Sequence, residues 1–246
     1  SYFPTAWEKA FECYIDYFDY AIRYGENPSD AAGDEYYHHP ARSIIGHWVR
    51  NEIDETAEDL LWATGDLAFT KQVRFFYDKL VSSVTNFEKL IKKCMDTYKS
   101  LKGKESVFFK DNILLQTRLH LSGVKGFISL CNAFFEYEKS NYPKAFVFAS
   151  QSIWDYQESL IAMSESEHGK WKNFYKADWL TNIQSTIYSL ETLRKYLRMH
   201  GDSPDFFLWY KEFIMPENEK RIYLENTHRR PLSDDNLALG LKEKLL

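Results

Sequence analysis

Apolar residues recur along most of this chain at alternating steps of three and four, the period of a helix that buries one face. The longest such stripe runs through Phe69, Val73, Phe76, Leu80, Val84, Phe87, Ile91, Cys94 and Tyr98, with no glycine or proline inside it. A second takes Leu114, Leu121, Ile128 and Phe135, with Val124, Phe127, Cys131 and Phe134 beside them. A third takes Ala145, Phe148, Ser152, Tyr156 and Met163, and a fourth Trp179, Ile183, Ile187, Leu190, Leu193 and Leu197. Nearer the N-terminus, Trp7, Phe11, Tyr14, Phe18 and Ile22 mark one helix, and Ile45, Val49, Ile53 and Leu60 with Trp48 mark another. Each stripe is read as a core-facing side.

The breaks around Gly65, around Gly103 and at Asn141-Tyr142-Pro143 are short, and short connections make consecutive helices antiparallel neighbours. No stretch alternates with period two between turn signals, so a sheet is not expected. The pattern predicts an all-α fold, an antiparallel up-down bundle of about six long helices followed by a short C-terminal helix. That last helix is SDDNLALGLKEKLL, with Ser233 as its cap, acids in its first turn and lysines near its end. One helical domain is expected over 1–246, with an N-terminal hairpin and long loop over 1–64, the main bundle over 66–200, and an aromatic turn and tail over 201–246. Two connections are longer, Gly25 to Pro40 and Ser164 to Asp178. They are rich in Tyr, Trp and His, the composition of ordered, functional loops rather than of disordered linkers.

Composition narrows the function classes. In 246 residues, Lys+Arg number 31 and Asp+Glu 36, a net charge of −5, and the signs are intermixed. A nucleic-acid or anionic-membrane binder would show a basic stripe, so neither partner is expected. No apolar run is long enough to span a bilayer, and the first residues lack the basic, apolar and small-residue pattern of a signal peptide. The chain opens on Ser1 without an initiator Met, the start expected of a processed chain or of a piece of something longer. Three scattered cysteines, Cys13, Cys94 and Cys131, encode neither a disulfide framework nor a thiolate zinc site, and they leave the compartment open.

Several patterns could carry chemistry. Glu35/His38, Glu165/His168 and Glu225/His228 each have the Glu-x-x-His spacing that puts both groups on one helix face in di-iron bundles. All three fall in loops or at helix ends, and the stripes contain no inward Glu to complete such a centre, so no metal and no cofactor is expected. Arg42-x4-His47 resembles the short Arg/His motif of helical ribonucleases of the higher-eukaryote-and-prokaryote nucleotide-binding type. Residues five apart on a helix do not share a face, however, and Ser43 departs from the pattern. No Gly-rich phosphate loop, GxSxG elbow or HExxH is present. What stands out is a surplus of rings clustered at the two long loops and in the turn after Gly201: Tyr36, Tyr37, Trp171, Phe174, Tyr175, Trp179, Trp209 and Tyr210. Such rings either plug the ends of a bundle or stack on a flat apolar ligand face such as a sugar ring, with neighbouring polar groups taking the hydroxyls.

The stretch SEHGKWKNFYKADWLTNI from Ser166, preceded by FFKDNILLQ from Phe108, resembles the helical C-terminal region of large bacterial glycoside hydrolases, α-glucuronidase-like enzymes among them. The resemblance is most specific at His168-Gly169-Lys170-Trp171 and extends through GDSPDFFLWYKEF. Such enzymes carry a catalytic barrel and an acidic pair, neither of which is encoded here. The resemblance therefore implies a non-catalytic accessory module, with a glycan or an adjoining catalytic domain as partner. In the turn itself, Gly169 is expected to end a helix in the left-handed conformation, with His168 and Lys170 at the last carbonyls. Trp171 and Tyr175 would stack four apart, and Asp178 would cap the next helix. The expected ligand contacts are His168, Trp171, Tyr175 and Asp178, joined by Tyr36, Tyr37 and His39 where the two long loops share an end of the bundle. The competing readings are a helical scaffold that binds protein, including a second copy in a homodimer, through the same rings, and a metal- or Arg/His-dependent bundle enzyme.

Overall fold

The computed structural model describes residues 5–20, 35–177, 183–201 and 233–246. These form α1 (Thr5–Asp19), α2 (Glu35–Val49), α3 (Leu61–Thr64), α4 (Phe69–Ser100), α5 (Lys104–Phe109), α6 (Leu115–Glu138), α7 (Tyr142–Ser166), α8 (Ile183–Gly201) and α9 (Asp234–Leu245). A π-helical segment, Lys110–Leu114, joins α5 to α6 without a break. No strand occurs among the described residues, and the fold is all-α, as the periodicity predicts.

Ring pairs give the helix directions. Phe69 meets Phe134, Phe76 meets Phe127 and Phe87 meets His120, at centroid distances of 5.4, 5.5 and 5.6 Å, so α4 runs antiparallel to α6. After the turn at Asn141, α7 runs back along α6, and α8 returns until His200 stacks on Tyr142 at 5.2 Å. Helix α2 lies parallel to α6 and α8. Its His38 Nδ1 sits 3.2 Å from Thr186 Oγ1 near the start of α8, while Trp48 packs edge-on against Phe134 and Tyr137 near the end of α6. The main contacts of α1 are with α4 and those of α2 with α8 and α6, so these two helices pack along the bundle rather than chiefly on each other.

Two local departures from expectation have clear causes. Helix α2 begins at Glu35, so the end of the first long connection is helical and Pro40 lies inside the helix, giving up one backbone hydrogen bond. Helix α1 turns the opposite face inward. Ala10 and Cys13 are buried against α4, whereas Phe11 (63% exposed), Tyr14 and Phe18 (51%) face outward. The small pair lets α1 lie close to α4, where Cys13 Sγ is 3.6 Å from Thr97 Oγ1 and Lys93 Nζ donates to Asp16 at 2.7 Å.

The centre of the core is the seam between α6 and α7. Along α6 the small residues Ser122, Gly123, Gly126, Ser129 and Ala133 are buried, and along α7 Ala145, Ala149, Ser152 and Ser159 are. Ser152 Oγ donates to the Gly126 carbonyl at 2.6 Å, and the Ser122 and Ser159 hydroxyls bond to each other. At the other edge, α9 is tied down by charge. Ser233 Oγ accepts from Asn236 N at 3.2 Å as its cap, Asp234 pairs with Arg198, and Asp235 pairs with the buried Arg194 at 2.5 Å.

A Cβ at position 126 would stand 2.6 Å from the Tyr156 ring, whereas one at Gly240 would meet nothing within 4 Å. Gly126→Ala should therefore destabilise by about 1–3 kcal/mol or more through overpacking, lowering the thermal midpoint by about 2–4 °C per kcal/mol. Gly240→Ala should leave the midpoint unchanged or raise it, since a helix interior gains about 1 kcal/mol from the exchange. Thermal melts of both variants check the pair.

Candidate functional site

Helix α7 stops at Ser166, three residues before the glycine expected to end it, and Glu167 is already extended. Gly169 does take the left-handed conformation (φ +56°), but it does so as the first residue of a 3-10 turn, Gly169–Trp171. Asn173, with φ +61°, leads into a second such turn, Phe174–Ala177. What folds this corner is the Glu167 carboxylate, which accepts from Asn173 N at 3.1 Å and from Tyr175 N at 2.7 Å. An acid so placed satisfies donors at the start of the turn that have no partner within it.

The opposing wall comes from the π segment. Its extra residue displaces the side chains around it, and it sets Asp111 and Asn112 against the corner. His168 Nε2 lies 2.5 Å from Asp111 Oδ2. The lysine that reaches the end of α7 is Lys110, not Lys170: its Nζ donates to the Glu165 carbonyl at 2.9 Å, while Arg118 pairs with the Glu165 carboxylate at 2.5 Å. Lys170 instead extends over the Trp171 ring, 5.1 Å from its centroid.

Between the two walls lies an open depression of about 330 Å³, lined by Asp111, Asn112, Ser166, His168, Trp171, Phe174 and Tyr175. Trp171 is 49% exposed and Phe174 58%, whereas Tyr175 packs partly against the core. The rings meet edge to face, Trp171 with Phe174 at 5.2 Å and Phe174 with Tyr175 at 5.0 Å, in place of the Trp171–Tyr175 stack expected from their spacing. Asp111 Oδ1 is buried and has no hydrogen-bond partner. Asn112 Nδ2 donates to the Phe108 carbonyl at 2.8 Å, and the Ser166 hydroxyl donates to the Met163 carbonyl at 2.7 Å, so this serine is engaged structurally. The site thus offers ring faces and an imidazole that a partly buried carboxylate holds in place.

Of the residues expected to contact ligand, the fold brings His168, Trp171 and Tyr175 together. Asp178 lies outside the described residues, as do the side chains of Tyr36 and Tyr37, whose backbones open α2. His39 is exposed and stacks with Trp62 at 6.5 Å, away from the lining of this depression. Asp111, Asn112 and Phe174 complete the site. The signal for the first two is a five-residue step between the buried Phe109 and Leu114, one too long for an α-helical stripe.

The other sequence candidates disperse. Glu165 and His168 turn to different partners, Arg118 and Asp111. His38 bonds Thr186 and packs on Tyr156, and Glu225/His228 lies outside the described residues. Arg42 donates to Thr186 at 3.0 Å while His47 bridges Glu52 and Asp59, so these two side chains do not converge. No group of three metal-ligating side chains occurs among the described residues, and no described helix is long and apolar enough to cross a membrane. A groove between α6 and α7 holds Asp155, whose carboxyl burial pushes above the usual range, but Ser129 and Gln151 already donate to both of its oxygens. Comparison of the chain with protein-family models, curated proteins and solved structures found no match.

Glu167→Ala removes the acceptor of two backbone amides without touching the core. It should raise the amide exchange rates of Asn173 and Tyr175 by about tenfold or more, a hydrogen bond to a charged group being worth about 1.5–3 kcal/mol, while the global thermal midpoint stays within about 2 °C. Residue-resolved hydrogen exchange beside a thermal melt tests both halves.

Proposed function

We propose that this chain is a non-catalytic helical module of a carbohydrate-active protein and that it contacts a glycan at the corner after α7. The observation that carries the reading is the convergence in one depression of half-exposed rings, Trp171 and Phe174, with the polar set His168, Asp111 and Asn112. Rings left half in water are suited to the apolar face of a sugar, and the polar groups beside them to its hydroxyls. The resemblance to helical regions of glycoside hydrolases points the same way, and the two stretches that carry it, around Phe108–Gln116 and from Ser166, form the two walls. Among the described residues lining the depression, Asp111 is the only acid, and glycoside cleavage by the usual route calls for a pair, so catalysis is assigned to an adjoining domain.

The protein-interaction reading rests on a separate observation, the outward face of α1 with Phe11, Tyr14, Ile15 and Phe18 exposed in one row. A row of large apolar residues at helical spacing is the kind of surface that a neighbouring domain or a second copy covers. The two readings are compatible, one surface holding ligand and the other a partner.

Trp171→Ala separates binding from folding because the ring is half in solvent. The variant should bind glycans on an array, and in calorimetric titration of the hits, about tenfold or more weakly than wild type, a loss of about 1.4 kcal/mol. Its thermal midpoint should be lowered by no more than about 3 °C. Retained binding, or a collapse of the fold, rejects the site.

A further inference from the structure

We infer that a second depression, at the opposite end of the α6–α7 pair from the corner, binds a phosphate monoester and seats the organic group of the ester on rings. The inference goes beyond the glycan reading and does not depend on it.

Near the end of α6, Asn132, Phe135, Glu136 and Lys139 recur at positions i, i+3, i+4 and i+7 and so share one face of the helix. Arg74 and Tyr77 of α4 and Lys144 and Phe148 of α7 stand around that face, and together with Glu138 they enclose an open depression of about 400 Å³. The Arg74 guanidinium lies over the Phe135 ring, its Cζ 3.8 Å from the centroid, with the centroid of the Tyr77 ring 5.3 Å away. Stacking of this kind occupies a flat face of the guanidinium and leaves its N–H edge for an oxyanion.

The polar groups of the depression divide into those already used and those to spare. Glu136 accepts from Lys139 Nζ at 2.8 Å and from Asn141 Nδ2 at 2.9 Å, and Glu138 accepts from the Thr70 hydroxyl at 2.7 Å. Arg74 and Lys144, by contrast, pair with no carboxylate among the described residues, and the Asn132 amide and the Tyr77 hydroxyl bond to no described residue. Outside the lining, the exposed Lys71 and Asp78 lie about one turn to either side of Arg74 along α4, and their charges offset. What is left over is a set of donors, the two cations Arg74 and Lys144 with two neutral groups beside them.

That set selects the ligand. The planar fork of an arginine takes two oxygens of an oxyanion, and a lysine adds a point charge beside them. A phosphate monoester carries about −1.5 to −2 at neutral pH on three terminal oxygens, which matches the two spare cations, whereas a carboxylate or a sulfate ester brings a single charge and leaves one cation unmet. The face of Phe135 is taken by Arg74, so the rings that remain for the organic group are Tyr77 and Phe148, both half-buried. Arg74 is exposed, so the ligand reaches it without any opening of the bundle.

The test is titration of the whole chain, at neutral pH and one ionic strength, with phenyl phosphate, phenyl sulfate and inorganic phosphate, followed through residue-resolved amide shifts. Phenyl phosphate should bind with a dissociation constant of about 1 mM or tighter, and about tenfold or more tightly than either of the others, with the shifts gathered around Arg74, Phe135 and Lys144. Arg74→Gln should weaken it about tenfold or more, and Lys144→Gln should bring it down to the level of phenyl sulfate. Equal binding of phenyl sulfate removes the match of charge and overturns the inference. Equal binding of inorganic phosphate overturns it too, because that is an adventitious ion only. Shifts centred on the corner overturn it as well, since the exposed Lys170, Lys172 and Lys176 there flank exposed rings and would draw any aromatic anion. Binding unchanged in Arg74→Gln has the same force, and absence of binding means that Arg74 only covers Phe135. The three-ligand comparison is made on the unaltered chain, so a variant that folded poorly would not shield the inference from its main test.

Discussion

The close approach of α6 to α7 is the constraint on which the rest of this molecule depends. The ring of Tyr156 occupies the space a side chain at position 126 would need, and Ser152 donates to the carbonyl of Gly126. Interiors packed at this density transmit position along a helix. With α7 pinned to α6 near its middle, the end of α7 at Ser166 arrives opposite the π segment that precedes α6. Lys110, Arg118 and His168 then close the gap through Glu165 and Asp111. The corner is thus a connection braced against two helices, which holds its groups in a fixed geometry.

How much of this could be read from the chain depends on which physical signal each element leaves. The stripe from Phe69 to Tyr98 became α4 because a long amphipathic repeat with no breaker has one stable solution. Ser233 caps α9 because the cap and the acids after it are local chemistry. The corner was legible in its rings, since large aromatics in a loop are unusual, but not in its walls. Asp111 belongs to the site only because a π turn rotates it there, and the sole trace of that turn is one lengthened step in a stripe. Glu167 left no trace, because an acid just past a helix end has no strong expected role there.

Helix α1 marks where periodicity misleads. Its rings repeat at helical spacing and so read as a buried face, yet the residues fully buried are Ala10 and Cys13, with Tyr17 and Tyr20 packed beside them against the core. Periodicity reports that one side of a helix is apolar; it does not report which of two apolar sides lies nearer the core. When both sides are apolar, the helix that can approach closest wins the intramolecular contact, and small residues approach closest. The larger face is then left for something else to cover, so a misread stripe is itself a pointer to a contact surface.

The same logic connects the π segment to the proposed ligand site. An extra residue in a helix costs regular hydrogen bonding and is retained where its displaced side chains have work to do. Here it presents a carboxylate whose inner oxygen is buried and unpartnered, a second local cost laid on the first. Two such costs at adjoining places, facing rings left half in solvent, are hard to reconcile with a corner that only connects α7 to α8. A connection alone would be satisfied by Glu167 and Lys110, which hold the backbone, and would gain from an apolar residue in place of Asp111. That the chain instead keeps a carboxylate there, with one oxygen buried and the other held by an imidazole, supports the proposal that the corner is shaped for a ligand.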